Sequence, residues 1–249
     1  MSSITVEYAL NMEKEEDAED VKNVLRSTEG VKDFTVDWEK QMVVVTSSRT
    51  SVEIADRLES LGKQVRIRGL GNQEQVNMGA GVCILQNKEI KGVVRLIQLN
   101  ASRVLVEATV HGLSPGKHGI HIFQSGNIAD DGAFLTKHYN PNNYKHGSPD
   151  EKECHAGDLG NLEASEDGKS NFRVESEHFI VSDVIGRAIC VSEREDDLGK
   201  EPNDDSILNG NSGKPLVCGV IARSSGLFQN PKRICKCSGA TIWEEDVIG

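Results

Sequence analysis

From Ala80 onward the chain is a succession of short runs in which apolar and polar residues alternate: GVCILQ, KGVVRLIQL, VLVEATV, GIHIF, FRVE, HFIV, AICVS and LVCGVIA. A period of two buries one side of a strand, and Gly, Asn and Asp punctuate the runs as turns do. The pattern predicts an all-β sandwich or barrel. Two stretches, residues 125–160 and 193–215, have little strand character. Loops of that length are usually functional or held by something, and a metal ion is the natural candidate.

Residues 4–69 follow a different rhythm. TVEYAL precedes an acidic segment with Ala18, Val21, Val24 and Leu25 at helical spacing, then FTVDW and MVVVTS. SVEIADRLESLG follows, with Val52, Ile54, Ala55, Leu58 and Leu61 at positions a helix could bury, and QVRIRG closes the series. Strand, helix, strand, strand, helix, strand is the ferredoxin-like order. Gly69, Gly71 and NQEQVNMGAG interrupt the periodicity as a linker. The expected organisation is therefore α+β over 1–72, all-β over 78–222, and a short irregular tail over 223–249.

Lys and Arg number 28 against 39 Asp and Glu, a net charge of −11 that has the wrong sign for a general nucleic-acid binder. No apolar run approaches the ~20 residues of a membrane span, and MSSITVEYALNMEKEED is too acidic for a targeting peptide. A cytoplasmic protein is expected. Six cysteines, at 83, 154, 190, 218, 235 and 237, are few for a disulfide scaffold, so reduced thiols are the default. Cys83 and Cys190 lie in apolar strand runs and read as small core residues.

His138, His146, His155 and Asp158 fall within one turn-rich segment, HYNPNNYKHGSPDEKECHAGD. Three imidazoles and a carboxylate satisfy tetrahedral Zn²⁺ with no vacant position, which makes a structural site. Cys235 and Cys237 bracket a lysine, with Lys232 and Arg233 nearby. Cations favour thiolates, and two thiolates suit soft Cu(I), which passes between sites by ligand exchange. Alternate strand residues face opposite ways, so sharing one ion needs a turn, for which Asn230-Pro231 and Gly239 provide.

HGIHIF, the spaced histidines, HAGDLGNLEASEDG, VIGRAICVSEREDDLGK and GNSGKPLVCGVIARSSG together resemble Cu,Zn superoxide dismutase across about residues 80–222. That enzyme is a known β-sandwich, so the resemblance implies a Greek-key β-barrel or sandwich for this part of the chain. GLFQNPKRICKCSGATIWEE and the first domain resemble instead the copper chaperones for superoxide dismutase, and all three parts stand in that family's order. The resemblance places the zinc ligands on His138, His146, His155 and Asp158. It places the copper imidazoles on His121, Phe123, His138 and Ser192, two of which cannot serve. The superoxide-guiding arginine falls on Pro215. Dismutase activity is not expected. Asp196 matches the carboxylate linking the two metal sites, and His118 a histidine that bonds backbone. His111 and His178 read as ordinary surface or strand histidines.

The family's loop cysteine, which bridges to the position of Cys218, falls on Gly132. Cys218 is then free, or in the second reading paired with a displaced Cys154. In the first domain the family's Met-x-Cys-x-x-Cys falls on Met12 through Asp17, with Lys14 and Asp17 in place of the thiols. This is a heavy-metal-associated type of domain without its cysteines, and tight Cu(I) binding there is not expected. The resemblance further implies a dimer-type face near Gly126, Ile185, Gly186, Val220 and Ile221, by which the chain would replace one subunit of Cu,Zn superoxide dismutase. The function implied is a non-enzymatic metallochaperone that forms a heterodimer with the dismutase. It would deliver Cu(I) and exchange disulfides through Cys235 and Cys237, with zinc as structural cofactor and a homodimer possible without the client. The runners-up are a zinc-stabilised binding module and, last, a dismutase.

Overall fold

The computed structural model describes residues 2–72, 74, 78–135 and 137–230. The chain divides into two compact units, one comprising residues up to Ala80 together with those from Ser224 onward, the other Gly81–Arg223.

In the first unit the order is β1 (Ile4–Leu10), α1 (Glu15–Ser27), β2 (Val31–Asp37), β3 (Met42–Ser47), α2 (Ser51–Glu59) and β4 (Val65–Asn72). The sheet order β2-β3-β1-β4, antiparallel throughout, is the ferredoxin-like arrangement. Alternation along β1 puts Ile4, Val6, Tyr8 and Leu10 on one side, and Tyr8 Oη donates to Ser51 O at 2.9 Å under α2. Ala18, Val21 and Leu25 of α1 and Ile54 and Leu58 of α2 are buried, as helical spacing requires. Thr50 and Glu53 form a reciprocal capping box that starts α2. α1 starts at the loop in question. Asp17 Oδ2 accepts Glu13 N at 2.7 Å and Lys14 N at 3.3 Å and pairs with Lys63 Nζ at 2.8 Å, while Met12 is buried as a packing residue. An ion pair and backbone bonds therefore occupy the place where the family resemblance puts a thiolate.

The second unit contains β5 (Ala80–Gln86), β6 (Lys91–Gln98), β7 (Val104–His111), β8 (Gly116–Ile122), α3 (Ala129–Gly132), β9 (Asp158–Ala164), β10 (Ser170–Ser176), α4 (Val181–Val184), β11 (Ala188–Ser192), α5 (Asp204–Asn209), β12 (Pro215–Val220) and β13 (Ala222–Arg223). They form two antiparallel sheets, β10-β7-β6-β5-β13 and β12-β11-β8-β9. Inward residues such as Leu85, Val94, Leu96, Val106, Ile120, Leu162 and Val191 make one core between them. The two long loops leave from β8 and β11, antiparallel neighbours in the second sheet, and so start at opposite ends of that pair and are joined where His146 N bonds Ile207 O at 3.1 Å. Among the described residues no helix is long and apolar enough to cross a membrane, which says nothing of β-barrels.

Candidate metal centre

The 123–157 loop is stitched to the end of β8 by main-chain bonds: Tyr139 N to Ile122 O at 2.7 Å, Gly157 N to Tyr139 O at 2.8 Å, and Ile122 N to Gly157 O at 2.8 Å. These bonds carry His138 inward beside β8 and place His155 just before β9, which begins with Asp158. His146 is held from the other loop, its N–H donating to Ile207 O at 3.1 Å.

Asp158 is the hub. Its Oδ1 lies 2.8 Å from His138 Nδ1, 3.0 Å from His146 Nδ1 and 3.4 Å from His155 Nδ1, and the Nδ1 atoms of His138 and His155 are 3.5 Å apart. A tetrahedron with bonds of ~2.0–2.1 Å has edges of about 3.4 Å, so these four atoms stand close to the corners that Zn²⁺ requires. Despite that 3.0 Å approach His146 Nδ1 makes no well-aligned hydrogen bond, and a metal bond would satisfy it. Asp158 Oδ2 is held by the N–H groups of Gly147 and His155, both at 3.1 Å, leaving Oδ1 for the ion. The donor set fits zinc.

The charges agree. Burial alone would raise Asp158, but the three imidazoles around it keep it well below the usual carboxylate range. Burial and the neighbouring His121 push His138 down to about 3, whereas in His146 the two carboxylates outweigh burial and lift it to about 9. Asp196 Oδ1 lies 2.7 Å from His146 Nε2 and its Oδ2 2.9 Å from His121 Nε2. Gly210 makes room for this link, since a Cβ there would overlap both Asp196 Oδ1 and His146 Nε2.

His121 also lies close. One ligating atom from each of His121, His138, His146 and Asp158 falls within 4.8 Å. Its ring, however, stacks on His138 at 4.0 Å and its Nε2 is engaged by Asp196, so His155 is the better fourth ligand. Phe123 meets His138 edge-on at 5.2 Å, and Ser192 is buried in β11. Of the four positions a copper ion would need, two carry an imidazole.

A profile of the Copper/zinc superoxide dismutase (SODC) family matches residues 90–221. Over 97% of its length the chain is 44% identical to the human copper chaperone for superoxide dismutase, covering 88% of that protein. The chain belongs to the copper chaperone for superoxide dismutase family. The family extends to plants, with the chloroplastic copper chaperone of Oryza sativa 35% identical over 98% of this chain and 72% of its own length. Superoxide dismutase [Cu-Zn] 5 of Dictyostelium discoideum matches 58% of this chain at 35% identity. Among solved structures, the crystal structure of the clock protein EA4 covers 59% of this chain and 96% of its own, at 31% identity and a TM-score of 0.57.

For this chaperone family member the cysteines are arranged otherwise than the sequence suggested. Cys190 and Cys218 stand opposite each other in the β11–β12 ladder, Cα atoms 4.2 Å apart, and form a disulfide. Cys190 is therefore not simply a core residue, and Cys218 is neither free nor joined to Cys154. Cys154 is a buried free thiol 3.5 Å from His178 Nε2, which also approaches Pro149 O at 3.2 Å. A Cβ on Gly132 would lie 2.8 Å from Cys218 Sγ, so the loop does pass the expected place without offering a sulfur. His118 bonds backbone as expected, its Nδ1 2.9 Å from Ser192 O.

At the expected face, Val220 is 38% exposed, Ile185 is half-buried, and Gly126 packs tightly against the Gly186 carbonyl. Ile221 does not belong there: it is 1% exposed, because alternation turns it inward while its main chain bonds Gly186 and Arg187. Ile84, 43% exposed beside Gly219, extends the patch and went unnoticed in the sequence because GVCILQ reads as a buried run. Cys235 and Cys237, with Lys232, Arg233, Lys236 and Gly239, lie outside the described residues.

Proposed function

We propose that the chain is a copper metallochaperone that docks on Cu,Zn superoxide dismutase in place of one subunit and activates it through Cys235 and Cys237. The observation that carries the reading is a dismutase-like unit that keeps the zinc constellation of His138, His146, His155 and Asp158 yet has Phe123 and Ser192 where copper would need imidazoles. Such a unit is built to be recognised as a subunit and not to cycle copper. Ile84, Ile185 and Val220 form the apolar part of the docking face, with Gly126 and Gly186 allowing close approach. Zinc, when bound by the four ligands, ties the 123–157 loop to the sheet. Cu(I) is cargo, held by the tail thiolates and passed to the client by ligand exchange. The same thiols exchange with the client's disulfide loop. The chain acts in the cytoplasm and pairs one-to-one with its client.

The test is reconstitution of apo, reduced dismutase under controlled copper and oxygen, with client activity and client disulfide read separately. Serine at both 235 and 237 is expected to abolish activation and leave complex formation intact. Full activation by that variant overturns the tail mechanism. Val220→Glu is expected to weaken the complex about 30-fold or more, as loss of a central apolar anchor does.

A second reading is favoured by the first domain, where Asp17 and Lys63 close the loop that would hold copper. In it the chain is a zinc-stabilised module that binds the dismutase without moving metal. Cu(I) titration against a competing chelator separates the two: the module reading requires wild type and the double serine variant to bind alike.

A further inference from the structure

The first unit carries a second built site, at the edge of its sheet. β4 is an edge strand, and edges of this kind are covered, charged or paired by another segment. Here the covering segment is the beginning of the tail. Gly226 makes a parallel bridge with Leu70 of β4. Beneath it, Gly69 and Gly71 lack the Cβ atoms that would overlap the Gly226 carbonyl and the Leu227 side chain, and Leu227 is 4% exposed. Polar contacts lock the segment beyond that point. Phe228 N donates to Glu7 Oε2 at 2.9 Å, and Glu7, on the central strand β1, is only 2% exposed. Arg68 pairs with Glu7 Oε1 at 3.4 Å and donates through its other guanidinium nitrogen to Asn230 O. Gln229 folds back, its Oε1 accepting Gly226 N at 3.0 Å. Phe228 is left with φ of 60°, a left-handed conformation that a bulky residue adopts only when its surroundings hold it there.

A buried carboxylate aimed at one backbone N–H, an arginine serving both it and a carbonyl, and two glycines shaped around one leucine are more than an edge needs for protection. We propose that the first domain works as the anchor of the tail, binding residues 224–230 so that the chain leading to the thiol pair starts from a fixed point at Asn230. This role requires no thiol in the domain itself, and so accounts for a metal-type fold with Lys14 and Asp17 at its loop. It rests on the reading that Cys235 and Cys237 act on the client. The gain is one of reach. By residue count Cys235 stands twelve beyond Arg223 and five beyond Asn230. Effective concentration falls roughly as the −3/2 power of the length of a connection, so cutting twelve residues to five is worth about fourfold.

The experiment uses the full chain in three forms, wild type, Leu227→Asp and Leu227→Met, with hydrogen exchange of the 224–230 peptide and the chaperone concentration giving half-activation of apo dismutase as readouts. Leu227 lies outside the sheet, and circular dichroism checks that the fold survives. We expect exchange in Leu227→Asp to be at least about tenfold faster than in wild type, and half-activation to need about fourfold more chaperone, with Leu227→Met behaving as wild type. Equal exchange in wild type and Leu227→Asp overturns the anchor. Faster exchange with an unchanged activation dose overturns its role in delivery. Failure of the tail mechanism itself is seen separately, as activation by the Cys235, Cys237 double serine variant.

Discussion

His146 Nε2 lies 2.7 Å from Asp196 Oδ1, while its Nδ1 lies 3.0 Å from Asp158 Oδ1, so one imidazole is aimed at the metal position by a carboxylate behind it. Asp196 also receives Leu198 N at 2.8 Å and is tied through its main chain to Asn161 at 2.8 Å, which fixes it in turn. Partners of this kind set ring orientation and ligand basicity.

Asp196→Asn is accordingly expected to lower zinc affinity by about 10–100-fold, measured by competition with a chromophoric chelator. Unchanged affinity would separate Asp196 from the metal centre.

The Asp17–Lys63 pair gives the first domain a pH signature. Hydrogen bonding to Lys63 and to Glu13 N holds Asp17 below its ordinary value of 3.8. A carboxyl group depressed by folding stabilises the fold fully above its unfolded value and loses that contribution as pH falls through the folded one. Asp17→Asn should therefore melt earlier than wild type at pH 7, and the two curves should converge below pH 3.8. A difference in melting temperature that persists at low pH would mean the carboxylate's charge plays no part.

The thiols should differ in reactivity. Burial raises Cys83 to about 12, and burial together with Asp158 and Glu151 raises Cys154 to about 12. Little thiolate exists there at pH 8, and Cys190 and Cys218 are paired. Brief alkylation of the folded, unreduced protein should label only the tail cysteines in mass spectrometry. Rapid labelling at Cys83 or Cys218 contradicts the packing or the disulfide.

Replacing Phe123 and Ser192 by histidine restores four imidazoles around the position facing His121 and His138. The double variant should take up Cu(II) with a visible absorption band that the zinc-loaded wild type lacks. Dismutation should stay weak, because Pro215 stands where the guiding arginine would be. A wild-type protein already showing that band would refute the account of the lost site.

Much of this was legible in the order of residues. Period-two runs identify strands, and helical spacing in residues 15–59 identifies two helices, because burial of one side selects the same pattern wherever the element lies. The proposed zinc donors stood out for another reason: His138, His146, His155 and Asp158 are close in sequence, and the structure brings them around Asp158 Oδ1. Ile221 was misplaced because neighbouring strand residues face opposite ways, so a shift of one position exchanges surface for core.

The sequence by itself determined the element types and the donors available for zinc, since each follows from local period or residue chemistry, whereas Phe123 and Ser192 take their meaning only from the resemblance to the dismutase. Only the tertiary structure decided that Cys190 faces Cys218 across 28 residues and that Leu227 seats on Gly69 and Gly71. Strand register and edge pairing are settled by packing between segments far apart in the chain, and no local pattern encodes which partner a sulfur or a leucine will meet.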